Sequence, residues 1–119
     1  MAERQPSSLK RLTNAANYSR QGFIQAYHGE AAFREEVYLA LVLIPLACLL
    51  DVSSVERILL IGSVLLLLIV ELLNSAVEAA IDRIGSEHHE LSGKAKDMGS
   101  AAVLLAVTII VLTWGITLF

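Results

Sequence analysis

Five polar residues in the middle of the chain have the spacing of a chemical site. Glu71, Asn74, Ser75, Glu78 and Asp82 recur at i, i+3, i+4, i+7 and i+11. At about 100° per residue they form one narrow stripe on a helix. The residues before them, Ile58 to Val70, are almost wholly apolar, so the stripe grows out of a membrane-length helix. Ionisable groups in such a position are costly and by default mark function. Two kinds of chemistry fit. One is a proton or ion relay. The other is a metal and phosphate site, in which carboxylates hold Mg²⁺, a cation meets the phosphates and a base takes a hydroxyl proton. In the second, Glu78 is at the aqueous edge with a second carboxylate such as Glu30, and Lys94 or Lys96 supplies the cation. Glu71, about 10 Å deeper along the helix, reaches a hydroxyl on a lipid. The plain alternative is an interhelical hydrogen-bonding stripe.

The elements that must position this stripe are helical. The chain has 119 residues, 55% hydrophobic, with a mean hydropathy of +0.64. A net charge of −3 argues against nucleic acid as a partner. One cysteine, Cys48, sits in an apolar run and reads as packing, which excludes a disulfide framework within the chain. Met1 to Ser8 is polar and lacks the apolar core of a signal peptide. Residues 8–28 read as an amphipathic surface helix, with Leu9, Leu12, Ala16, Phe23 and Tyr27 on one face. Arg20 falls on that face, and Gly22 is a candidate break. A charged collar, Glu30 to Glu36, leads into a first span, residues 31–51. Its uncharged core, Val37 to Leu50, is about 21 Å long, so the span borrows from the collar. Pro45 is a candidate kink. Asp51 to Glu56 reads as a turn, with Ser53 or Ser54 capping the next helix. The second span is 56–84 with an aqueous extension, ended by Gly85. Ser86 to Lys96 reads as a polar loop, and 97–119 as the third span, uncharged from Met98 onward. Arg4, Lys10, Arg11, Arg20 and Arg34 precede the first span, and Arg83, Lys94 and Lys96 follow the second. The basic bias therefore puts the N-terminus and the 86–96 loop in the cytoplasm and the C-terminus outside.

The segment ELLNSAVEAAIDRIGSEHHELSGKAKDMGSAAVL, Glu71 to Leu104, closely resembles the signature of the prokaryotic diacylglycerol kinases. GEAAFREE resembles the collar NEAAFR of that family, and AANYS its AAGYS. The resemblance covers nearly the whole chain. It implies an all-α integral membrane protein of the inner membrane, with three spans and a surface helix, assembled as a homotrimer with sites shared between protomers. It implies transfer of phosphate from MgATP to diacylglycerol at the cytoplasmic face. Residue by residue, it implies Glu71 as catalytic base, Asn74 orienting the site, and Glu30 and Glu78 as metal ligands. Lys96 and Asp97 meet the nucleotide, which Glu87, His88 and His89 line. Arg11 and Tyr18 lie near the phosphates and the lipid glycerol, and Ala15, Ser100 and Trp114 contact lipid. Because Glu30 precedes the first span and Glu71 and Glu78 lie on the second, the boundary between chains is expected to separate them. The chain departs from better-known members at Asn17, Arg20 and Gln21, where those carry Gly, Trp and Lys, which puts the depth of the surface helix in question.

Each feature has a plainer reading. His88 and His89 are adjacent and point apart on a helix, so a metal site with Glu90 is not expected. Ser92-Gly93-Lys94 resembles the tail of a P-loop but lacks its upstream glycine and strand. Asp82 and Arg83 suit a solvated helix end, and Tyr18 an interfacial anchor. Two other functions stand beside the first: an undecaprenol kinase on the same fold, and a transport or channel subunit using Glu71 as a relay. The segment GKAKD beside Glu78 favours phosphate handling.

Overall fold

The computed structural model describes residues 6–85 and 89–119. Among these the chain is all helical: α1 (Ser8–Gly29), α2 (Ala31–Leu49), α3 (Ser54–Ile84) and α4 (Glu90–Leu118). The Ser7 hydroxyl caps α1 by accepting from the Lys10 amide at 3.2 Å. The helix runs unbroken through Gly22. One interior glycine costs only about 1 kcal/mol against alanine, which the flanking turns absorb. Glu30 adopts an extended conformation; its amide closes α1 on Ala26 O, and it serves at once as the N-cap position of α2. Pro45 lies inside α2 without ending it.

α3 is the axis of the fold. It begins at a capping box: the Glu56 amide donates to Ser53 Oγ, and the Ser53 amide to Glu56 Oε1, both at 3.1 Å. Arg57 then closes the α2–α3 turn. Its Nε donates to Ala47 O at 3.1 Å and its Nη2 to Leu50 O at 2.8 Å and Val52 O at 3.4 Å. The core gathers Ala40 and Ala47 of α2, Leu60, Val64 and Leu67 of α3, and Ala106, Ile110 and Trp114 of α4. Alanines on two of the three helices allow close approach of backbones. The Trp114 indole donates across to Leu60 O at 3.3 Å, pinning α4 to α3.

α4 begins earlier than its sequence pattern suggests. Residues 90–96, expected as loop, form its first turns. The His89 imidazole caps them by accepting from the Leu91 amide at 3.1 Å, and Glu90 suits the positive end of the helix dipole. Ser92 and Gly93 weaken a helix on propensity alone, but a good cap overrides them.

α3 and α4 are each long and apolar enough to cross a membrane, with mean hydropathy 2.4 over their best windows. α2 is shorter, 19 residues, and begins with Arg34, Glu35 and Glu36. Large apolar side chains face outward along all three, among them Leu41, Leu59, Leu104 and Ile116. An apolar exterior around a small alanine-rich core is what a bilayer solvates.

Candidate active site

The stripe of α3 faces inward from Glu71 to Glu78 and reaches solvent at Asp82. Glu71 is only 5% exposed although it is ionisable. The charges that act on it most are those of Glu78, two turns further along, and Glu30, at the α1–α2 junction. The charges of three carboxylates singled out by the sequence thus act on one another within one chain. Asn74 Nδ2 donates to Glu78 Oε1 at 3.4 Å. Its other amide atom, Oδ1, is buried without a partner, as is Ser75 Oγ.

A fourth carboxylate joins them. Glu36 Oε2 is buried and unpartnered, and the Glu36 charge acts on that of Glu71. Sequence reasoning grouped Glu36 with a solvated collar. The signal that would have found it is register: Phe33, Glu36, Ala40 and Ala47 fall on one face of α2, and Phe33, Ala40 and Ala47 are all buried.

A cleft of about 480 Å³ opens beside this cluster between α1 and α3, lined by Gly22, Phe23, Ala26 and Glu30 on one wall and Ser75 and Ala79 on the other. α1 is braced over it from α2. Arg34 Nη1 donates to Tyr27 O at 2.8 Å and His28 O at 3.4 Å, where the helix dipole is negative. The hydroxyls of Tyr27 and Tyr38 share a 2.8 Å hydrogen bond, which raises the Tyr27 phenol above its ordinary 10.0.

The remaining candidates divide. Lys96 Nζ is 3.3 Å from Asp82 Oδ1, an exposed ion pair linking the N-terminal part of α4 to the stripe helix. Asp97 and Ser100 are exposed on the same part of α4. His89 is the cap of that helix, and Glu87 and His88 lie outside the described residues. Arg11, Ala15 and Tyr18 are exposed on the first half of α1 and do not line the cleft. Trp114 is buried against Leu60, eleven residues and about 16 Å along α3 from Glu71, so this chain does not bring it to the carboxylates.

Among the described residues no three His, Cys, Asp or Glu side chains form a closed metal cage. Mg²⁺ is commonly held by only one or two carboxylates, with the rest of its shell from water and substrate phosphates. Glu30 and Glu78, both acting on Glu71, are a hard-oxygen donor pair of the right kind.

Residues 17–118 match the family described as prokaryotic diacylglycerol kinase. The chain belongs to that family. It is 57% identical over 113 residues to the diacylglycerol kinase of Escherichia coli K12, covering 95% of this chain and 93% of that one. It is 59% identical over 108 residues to the diacylglycerol kinase of Pseudomonas aeruginosa, covering 91% and 88%. Against that of Haemophilus influenzae the identity is 52% over 113 residues, covering 95% and 96%. Membership makes the chain a kinase, and two of its helices are long and apolar enough to cross a membrane.

Proposed function

We propose that the carboxylate end of α3 transfers the γ-phosphoryl group of MgATP to the free hydroxyl of diacylglycerol, giving phosphatidic acid. The new bond joins the acceptor oxygen to the γ-phosphorus as the bridge to the β-phosphate breaks. Glu71 accepts the hydroxyl proton, and Asn74 orients the groups around it. Glu30 and Glu78 hold Mg²⁺, which when bound neutralises the phosphate oxygens. Lys96 and Asp97, with Glu87, His88 and His89, take the nucleotide. Arg11 and Tyr18 approach the phosphates and glycerol from the surface helix, and Ala15 and Ser100 contact lipid; Trp114, expected to do so, is instead packed against Leu60.

The observation that carries this reading is the gathering of Glu30, Glu71 and Glu78 around buried, unpartnered polar atoms at the end of an apolar helix. Such groups cost free energy unless something completes them. A triphosphate from water and a hydroxyl from the bilayer would do so. The reading also includes a membrane arrangement. α2, at about 28 Å, approaches the ~30 Å hydrocarbon thickness, so α2, α3 and α4 form three spans of the inner membrane, with the N-terminus and site cytoplasmic and the C-terminus periplasmic. Three copies assemble, and the exposed Arg11 and Tyr18 of one copy serve the carboxylates of another.

Label transfer from ATP tests it, with diacylglycerol and undecaprenol compared in the same micelles. Label is expected chiefly on diacylglycerol. Preferential labelling of undecaprenol would move the chain to the other lipid kinase class, and no transfer to either would favour an ion relay.

A further inference from the structure

Most glycines on these helices face open space. A Cβ built on Gly22, Gly29, Gly62, Gly93 or Gly115 meets nothing within 4 Å. Gly99 differs. A Cβ there would overlap Asn74 Oδ1 and lie 3.1 Å from Asn74 Cγ. The obstacle is the amide head of the one side chain that also donates to Glu78, and the overlapped oxygen is the buried, unpartnered one. Gly99 lies on the best-packed pair of helices, α3 and α4, so the backbones cannot simply separate. An added methyl group must push Asn74 aside.

We propose that Gly99 is a positioning residue for phosphoryl transfer, its bare backbone on α4 setting the pose of the Asn74 amide on α3. This deepens the reading above and rests on Asn74 belonging to the reacting constellation. Asn74 lies one turn from Glu71 and one turn from Glu78 on the same face. Its side chain therefore relates the base to the metal-binding carboxylate. Any residue larger than glycine at position 99 rotates the amide out of that line. Small misplacements of a positioning group can cost about 10²-fold in rate.

A double-mutant cycle on the full chain in micelles tests this, with kcat, KM for MgATP and thermal midpoint measured for Gly99→Ala, Asn74→Ala and the double variant. Gly99→Ala is expected to lower kcat by at least about tenfold, toward the level of Asn74→Ala, with KM little changed. The double variant should be no slower than the slower single one, because the displaced group is already gone. The thermal midpoint gives a second readout independent of chemistry. Gly99→Ala should lower it when Asn74 is present and raise it or leave it unchanged in the Asn74→Ala background, where the overlapped amide is absent and only the better helix propensity of alanine remains. Gly115→Ala, on the same helix with open space around it, should match the parent. Parental kcat in Gly99→Ala, or losses that multiply in the double variant, would overturn the inference and leave the role of Asn74 standing. Parental kcat in Asn74→Ala would overturn both.

Discussion

The two ends of α3 are built on opposite principles. At the Ser53 end the polar groups are tied up: a reciprocal capping box, three carbonyls held by one arginine, the Ser63 hydroxyl donating to Leu60 O at 2.8 Å, and an indole N–H on that same carbonyl. Leu60 and Val64 beside them are essentially inaccessible. At the Glu71 end the helix carries an almost fully buried carboxylate, with Glu78 of α3 and Glu30 of the α1–α2 junction acting on it, and buried polar atoms without partners on α3 (Asn74, Ser75) and on the facing α2 (Glu36). Folding alone would not leave such atoms bare, because each costs about 1–3 kcal/mol. One end is finished by the chain itself. The other is left unfinished by the chain. A helix can therefore be divided into a holding part and a working part by whether its buried polar groups are satisfied.

Substitutions can break or sharpen that contrast. The largest effect is expected at Glu71. Glu71→Gln keeps the shape but cannot take a proton, and general-base help is typically worth about 10²- to 10⁴-fold. A steep fall in kcat with an unchanged or raised thermal midpoint is expected, since an amide is cheaper than a carboxylate inside the membrane. Near-parental kcat would return Glu71 to a structural role. Next is Glu78→Gln, which removes one metal-binding carboxylate. A charged contact of this kind is worth about 1.5–3 kcal/mol, so the KM for MgATP should rise roughly 10- to 100-fold. Excess Mg²⁺ should recover part of the rate; a rate loss with KM unmoved would rule out a ligand.

At the finished end the sign of the contrast reverses. Arg57→Ala should cost about 2–3 kcal/mol of stability in denaturing mixed micelles, because carbonyls of the α2–α3 turn lose their donor, while kcat of the folded fraction stays parental. A fall in kcat at unchanged stability would mean that the ends are coupled. Smallest is Ser53→Ala, about 1 kcal/mol for the lost cap, measured the same way and again silent in kcat.

Much of this was legible in the residues. The helical period around Glu71 exposed the stripe, and the apolar run before it fixed the class as membrane helix. Ser53 is one of two candidate caps for α3, and the structure makes it the cap, in a reciprocal box with Glu56. What escaped was whatever depended on contact between elements. Glu36 reads as collar because its neighbours are charged; only packing of the Phe33–Ala40–Ala47 face reveals that its Oε2 is turned inward. Residues 90–96 read as loop because Ser92 and Gly93 are poor helix formers, and the cap supplied by His89 is a side-chain geometry that composition does not encode. Trp114 is expected from the resemblance to contact lipid, yet it packs inward, and its hydrogen bond to Leu60 O depends on the register between α3 and α4. The proximity of Glu30 to Glu71 required the path of α1 and α2 around α3.

The claim at the centre is that the Glu71 end of one chain is completed by another copy, with the carboxylates from one chain and the first half of α1 from its neighbour. Mixed assemblies test it most directly. Two variants, Arg11→Ala and Glu71→Gln, each strongly impaired alone, should regain a measurable share of ATP-to-diacylglycerol transfer when co-assembled. Glu30→Gln mixed with Glu71→Gln should regain none, because those carboxylates belong to one chain's cluster. No recovery for the first pair in verified mixed trimers, or recovery only for the second, would contradict a site completed across that boundary.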